Sequence, residues 1–322
     1  MEDNKMIFIS ENANIKCSFV IGRTREEEKE LRDSYEVRNS IKNSHKKEIK
    51  KKNYYRLVNG IPADGNQSGW RHNEYLEESG FFLLDYDFLD KNGKKKKMNY
   101  IDVWNKIKKH LHEWGIVHVE RSARGGVHIT AIRAEGLSIE ENIRLFELRT
   151  GIEFDHCHDI ARACFLVPND YVIFVDEEQY YSDKKPTPLP LSEKERLMME
   201  TDKMEREIKH QKEIEERRKS APVLDCHGMT DEQSQLKFII DIVVKRGIDL
   251  TRDYNNWILV GFLIGNVMGL AGESLFHDIS RLYPQYRYDE THRVYENLVR
   301  TSRHEIGLGT LIHLARLEGV FQ

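Results

Sequence analysis

Residues 81–89 read FFLLDYDFL, an apolar run carrying two aspartates, Asp85 and Asp87, separated by one tyrosine. The run is short, rich in aromatic residues and preceded by Ser79-Gly80, which predicts a β-strand rather than a helix. Side chains two apart on a strand share a face, so Asp85 and Asp87 point the same way and Tyr86 points oppositely. Two carboxylates that close repel each other, and burying them without compensation is costly. A divalent cation would remove that cost. A bare Asp-x-Asp is more often the hydrated, frayed end of a strand, so its meaning depends on the rest of the chain.

At 322 residues the chain is long enough for about two domains. Its 39% hydrophobic and 32% charged content implies that part of it is solvated connection rather than core. A net charge of -4 carries no global nucleic-acid signature, so a nucleic-acid binder would need local basic patches. The four cysteines, Cys17, Cys157, Cys164 and Cys226, form no CxxC pair, and the opening MEDNK is not a signal peptide. No uninterrupted apolar run is expected to reach the roughly 18 residues of a spanning helix. A reduced, soluble, cytoplasmic protein with no membrane partner is the expectation.

From Gly80 to about Asp176, apolar strands alternate with short amphipathic helices. FFLLDYD is one strand, and GIVHVERS and GVHITAI read as a second and third joined by Ala123-Arg124-Gly125. Between the first and second, Trp104, Ile107, Leu111 and Trp114 fall at helical spacing. Ser138-x-x-Glu141 reads as a capping box opening another helix. RACFLV and YVIFVD close the region as strands. Upstream, MIFIS predicts a strand and REEEKELRDSYEVRNSIKNSH a charged helix. Pro186, Pro188 and Pro190, three of the seven prolines, then break the pattern. Ser192-x-x-Glu195 opens a mixed-charge helix whose thin apolar stripe, Leu197, Met204 and Ile208, suits a solvated spacer. Beyond it the chain reads as helical, with caps expected at Thr230 and Thr310, a stop at Gly247, and Trp257, Val260, Gly261 and Ile264 on one apolar face.

Two further stretches carry chemistry. In RSARGGVHITA, His128 follows a Gly-Gly, where backbone can approach a ligand closely and an imidazole can reach a phosphate. A lone strand histidine is more often a hydrogen-bonded core group. In GIEFDHCHDIARACFLVPND, Asp155 and Arg162 lie seven residues apart with Asp159 between them. Acids from separate strands, a histidine and an arginine suit phosphoryl transfer, in which carboxylates hold two divalent cations about 3.5 to 4 Å apart and cationic groups hold a triphosphate.

The order resembles a family. A strand ending in Asp-x-Asp, then a small-residue-x-His element, here Gly126-Val127-His128, then a strand ending in Asp is the three-motif pattern of archaeo-eukaryotic primases and primase-polymerases. The lead-in NYYRLVNGIPADGNQSGWRHNEYLEESGFFLLDYD and the segment DHCHDIARACFLVPND are similar to a branch found in bacterial mobile elements, particularly of Bacteroidetes. YNNWILVGFLIGN, SLFHDISRLYPQYRYDE and IGLGTLIHLAR resemble the helical primase C-terminal domain that follows such cores. The resemblance implies an α+β protein: an RRM-like catalytic core at 1–180, a proline-rich and charged helical linker at 181–225, and a small all-α C-terminal domain at 226–322. It implies that Asp85, Asp87 and Asp155 hold two Mg or Mn ions and that His128 contacts the incoming nucleotide's phosphates. Arg162, Ser122, Arg124 and Gly126 would complete the nucleotide site. Asp159 competes with Asp155 for the third acid, and Gly126 occupies a place often held by serine.

The implied activity is primer synthesis on a single-stranded DNA template from nucleoside triphosphates. The chain lacks a Gly-x-x-x-x-Gly-Lys-Ser/Thr motif, so unwinding would fall to a separate replicative helicase. Lys94, Lys95, Lys96 and Lys97 could track template phosphates or form a solvated loop. Arg71 could bind nucleotide or template, and Trp70 could stack on a base or pack in a core. Zinc at His156-Cys157-His158 with Cys164, or with Cys226-His227, is not expected, because the spacing fits no ordinary zinc module. Two other functions compete: a replication initiator that uses the fold only to bind an origin, and a two-metal nuclease.

Overall fold

In a computed structural model, the described residues are 7–11, 19–44, 53–63, 68–88, 98–155, 159–226, 229, 231–251, 253–283, 286–301 and 306–322. Lys94 to Lys97, His156 to His158, His227 and Thr230 lie outside them. The chain divides into two compact units, Met1–Glu200 and Thr201–Gln322. Together they make a mixed α+β chain whose C-terminal unit is helical among the described residues.

The described strands are β1 (Ile7–Ser10), β2 (Phe19–Arg23), β3 (Tyr55–Leu57), β4 (Gly60–Pro62), β5 (Ser68–Trp70), β6 (Leu76–Glu78), β7 (Phe81–Tyr86), β8 (Ile116–Arg121), β9 (Val127–Ile132), β10 (Ala163–Phe165) and β11 (Val172–Val175). They form a four-stranded sheet of order β11-β8-β9-β7, a five-stranded sheet of order β10-β3-β1-β2-β5, and the pair β4-β6. All these ladders are antiparallel. From β7 onward the order is strand, helix, strand, strand, helix, and the chain then returns beside β7 as a single bridge between Asp85 and Asp155.

Period-two alternation divides the four-stranded sheet into two unlike faces. Phe82, Leu84, Tyr86, Val119, Val127, Ile129 and Ala131 form one buried face. Against it pack Val103 and Ile107 of helix Tyr100–Ile107, and Ile139, Ile143 and Phe146 of helix Ile139–Thr150. The first helix is shorter than its periodicity predicts. It ends at Ile107, and Leu111 and Trp114 reach the same core from the turns that follow. Ser138 caps the second helix in the expected capping box with Glu141. The opposite face carries Asp85, His118, Glu120, His128 and Thr130, and meets polar groups of the five-stranded sheet and of helix Arg25–Asp33. The charged N-terminal stretch is two helices, Arg25–Asp33 and Tyr35–Lys42, because Ser34 ends the first and caps the second.

Helix Glu193–Lys219 opens on the expected Ser192 to Glu195 hydrogen bonds and leaves Leu197, Met204 and Ile208 exposed, as a solvated helix should. In the C-terminal unit, Leu236, Ile240, Val260, Ile264, Phe276, Tyr295 and Leu311 form one core. Helix Glu232–Arg246 is capped by Asp231, whose side chain accepts from the Ser234 N–H, and ends at Gly247 in the left-handed region. The last, Leu308–Leu317, begins after Gly307, so Thr310 lies inside it rather than capping it. The 27 residues Tyr254–Ser280, though not an uninterrupted apolar run, are long and apolar enough to cross a membrane by length and composition. The run is interrupted by a 3-10 turn at Gly269–Gly272, and Val260, Leu263, Ile264, Phe276 and Ile279 are consumed by the helical core.

Gly126 is demanded by the sheet. A Cβ there would lie 2.0 Å from the Tyr86 carbonyl oxygen on the neighbouring strand. Gly126→Ala is therefore expected to destabilise the N-terminal unit by about 1–3 kcal/mol or more, as overpacking against backbone does, read as a lowered urea midpoint with an unchanged slope. An unaltered midpoint would show that β7 and β9 are not this close.

Candidate active site

Cross-strand register places three ionisable groups in a row. Asp85 of β7 lies opposite His128 of β9, which lies opposite Glu120 of β8. Asp155 joins them from the loop after helix Ile139–Thr150, its N–H donating to the Asp85 carbonyl at 2.8 Å. Asp87 follows one residue beyond the end of β7. Its carboxyl is raised above the ordinary range by burial first, then by Asp85 and Asp155, with Arg124 and His128 opposing. Asp85 Oδ1 is buried and accepts no hydrogen bond. His128 Nε2 stands 3.7 Å from that oxygen, and Arg162 Nη2 stands 3.6 Å from Oδ2. An orphaned buried carboxylate oxygen beside two further acids, one of them electrostatically strained, is a donor set that suits hard divalent cations.

The two candidates for third acid are placed differently. Asp155 is bridged to Asp85, whereas Asp159 Oδ1 accepts the Ala161 N–H and its carbonyl accepts the Arg162 N–H and the Asn59 side-chain amide. Ser122 is used locally, since its Oγ accepts the Gly126 N–H at 2.9 Å and tightens the β8-β9 turn. Arg124 is exposed at the tip of that turn. Arg71 is buried over the Tyr55 ring at 5.9 Å. Burial pushes its guanidinium down to about 10, with Tyr55 and Asp159 opposing and Arg162 adding to the fall. Trp70 is 49% exposed and packs edge-on against the exposed Phe19, so it is a surface aromatic and not a core one. Cys164 is a buried free thiol directed at the Arg56 carbonyl.

Buried charges hold His128 in place. Glu120 has no exposed surface; its Oε1 accepts from His128 Nδ1 at 3.2 Å and from Arg56 at 3.2 Å, and its Oε2 accepts from Arg32 at 2.9 Å. Arg32 also pairs with the buried Glu28 and donates to the Val167 carbonyl, while Arg56 donates to Thr130 Oγ1. Burial would raise the Glu120 carboxyl, but Arg32 and Arg56 hold it well below the usual range. Burial likewise opposes charge on His128, but Cys164, Glu120 and Asp85 beside it hold the imidazole well above its ordinary value. His118 is driven the other way, its burial outweighing Glu120, and it stacks neutral on Tyr180 at 4.5 Å. With Nδ1 occupied by Glu120, an imidazolium at His128 directs its Nε2–H toward the acids.

Sequence inspection located Asp85, Asp87, Asp155, His128 and Arg162, and the fold brings these five together. It missed Glu120, Arg56 and Arg32. The signal for Glu120 was present in GIVHVERS, where His118 and Glu120 repeat the polar alternation of Asp85 and Asp87 on an otherwise apolar strand. Nothing in the local pattern marked Arg32, which lies 88 residues from its partner.

Residues 240–315 match the family model Primase C terminal 2 (PriCT-2). No curated protein and no solved structure matches the chain. The C-terminal unit is therefore similar to a primase-associated domain.

The strain on Asp87 has a testable sign. A carboxyl whose pKa is raised by folding holds its proton more tightly in the native state, so its contribution to stability is full at low pH and falls as pH rises from about 4 through the raised value. Asp87→Asn is expected to melt at or above the native temperature in metal-free buffer at pH 7, with the advantage vanishing below about pH 4. A clear loss of melting temperature at pH 7 would mean that the like-charge repulsion is absent.

Proposed function

We propose that the protein is a DNA-dependent primase or primase-polymerase that makes primers on single-stranded template by two-metal nucleotidyl transfer, serving a mobile element, plasmid or phage. The observation that carries this is the convergence of Asp85, Asp87 and Asp155 beside a charge-stabilised His128, in a chain whose other unit matches PriCT-2. The strand-helix-strand-strand-helix order with Asp155 returning beside β7 is compatible with the RRM-like core of archaeo-eukaryotic primases.

Asp85, Asp87 and Asp155 would hold Mg or Mn, which supplies charge neutralisation at the α-phosphate and the departing pyrophosphate. A primer 3′ hydroxyl forms the new bond to the α-phosphorus as the bond to the bridging oxygen of pyrophosphate breaks. His128 donates its Nε2–H to a phosphate oxygen of the incoming nucleotide, and Glu120 keeps that proton in place. Arg162 and Arg124 add positive charge on the same side. Trp70 and Phe19 offer exposed rings on which template bases can stack. The C-terminal unit would grip the initiating nucleotide, the template or a separate helicase.

A primer-synthesis assay with labelled nucleotides on single-stranded templates tests this. The native chain is expected to make ladders that depend on template, nucleotide and metal, and Asp85→Asn to abolish them. Metal-dependent shortening of the template would instead mark a nuclease, and tight duplex binding without synthesis an origin-binding initiator. His128→Ala is expected to weaken nucleotide binding more than DNA binding, measured by fluorescence anisotropy on both ligands. The reverse order would remove His128 from the phosphate site.

A further inference from the structure

Within the residues that match PriCT-2, the C-terminal unit holds a cluster that the proposed nucleotidyl transfer does not use. Glu273 and His277 lie one turn apart on helix Glu273–Ser280, so they share a face, and His292 reaches them from helix Tyr288–Arg300. Glu273 Oε1 is 2.5 Å from His292 Nδ1 and 3.4 Å from His277 Nε2. The three donor atoms all lie within 4.8 Å of one another.

Hydrogen bonding alone accounts for two of the three. The Glu273 carboxyl is lowered chiefly by its bond to His292, as an ordinary exposed pair would be. His277 is different. It is 3% exposed, and its Nε2 is buried with no hydrogen-bond partner while aimed at Glu273. Its other nitrogen, Nδ1, is bonded to the Tyr286 hydroxyl at 2.7 Å, which fixes the ring and leaves Nε2 as the inward donor atom. The ring is also stacked on Tyr288 at 4.5 Å, and Tyr288 lies parallel to His292. A histidine whose outer nitrogen is held by a polar group and whose inner nitrogen faces other donors is arranged as metal-ligating histidines are.

We propose that Glu273, His277 and His292 form a zinc site with three protein ligands and one open position, pinning helix Glu273–Ser280 to helix Tyr288–Arg300. Two imidazoles and a carboxylate suit zinc and other late first-row ions, and suit neither magnesium nor calcium, which take oxygen ligands. Ligands about 2.0 to 2.1 Å from a tetrahedral ion sit about 3.3 to 3.5 Å apart, the separation already present between Glu273 and His277. His292 has to move outward by somewhat under about 1 Å to exchange its hydrogen bond for a coordinate bond. With 29% of the Glu273 side chain and 42% of the His292 side chain exposed, an ion can enter and a water can fill the fourth place. The site is chemically distinct from the all-oxygen acids of the N-terminal unit.

The test uses the full chain stripped with a chelator and titrated with Co²⁺ alone, whose visible absorption separates tetrahedral from octahedral coordination. One equivalent is expected to give a tetrahedral band that Zn²⁺ displaces, and Zn²⁺ should raise the melting temperature. His292→Gln, a change at an exposed side chain, and His277→Gln should each abolish the band and weaken Zn²⁺ binding at least about tenfold, while Tyr286→Phe weakens it by about tenfold. The band should persist in Asp85→Asn/Asp87→Asn. Absence of a tetrahedral band in the native chain, its survival in His292→Gln, or its loss in Asp85→Asn/Asp87→Asn would each overturn the assignment.

Discussion

Glu120 is a carboxylate with no water to hydrate it, and the arrangement around the three acids follows from what neutralises it. An uncompensated charge in that position would cost several kcal/mol. Arg32, Arg56 and His128 converge on it from a helix, from the five-stranded sheet and from the adjacent strand. With Glu28 paired to Arg32, three cations meet two carboxylates and leave one positive charge over, at the edge where Asp85 lies. A buried network of this kind adds little net stability over an apolar core, but it tolerates few alternative packings. It fixes which way the His128 ring points and which nitrogen faces the acids.

That constraint also explains the two-faced sheet. One face is closed by aliphatic and aromatic contacts with two helices, the ordinary solution for a half-buried antiparallel sheet. The other is closed by ion pairs, and its polarity rises toward the end where β7, β9 and Asp155 meet. Carboxylates can be held there because the positive charge beneath them is already in place. Gly126 belongs to the same design: its missing side chain lets β9 approach the Tyr86 carbonyl, which keeps His128 in register with Asp85.

The C-terminal unit is stabilised differently. Its core is aliphatic and aromatic, with Trp257, Phe276 and Tyr295 stacked in series. Close helix packing depends on small residues: a Cβ at Gly261 would lie 2.4 Å from Leu298. Among its described residues, Glu273, His277 and His292 gather nitrogen and oxygen donors at one point.

Local sequence determined a good deal of this protein. Alternation and turn residues marked β7, β8 and β9, capping boxes marked the starts at Ser138 and Ser192, and Gly247 marked a stop, because each is an interaction among residues within a few positions of one another. Where caps compete locally, as Asp231 does beside Thr230 and Gly307 near Thr310, pattern alone chose wrongly. Paired Asp85 and Asp87 raised the question of metal, and the order of the acids and His128 suggested an answer. What only the tertiary structure decided is which of the two acids lies beside Asp85, why Gly126 is glycine, and what holds His128: Asp155 and Asp159 are equivalent in sequence, and only the bridge to β7 distinguishes them. The partners of Glu120 come from positions 32 and 56, and those of His277 from a second helix and the turn before it. A buried charge selects its neighbours by distance in space, and no periodicity along the chain records that distance.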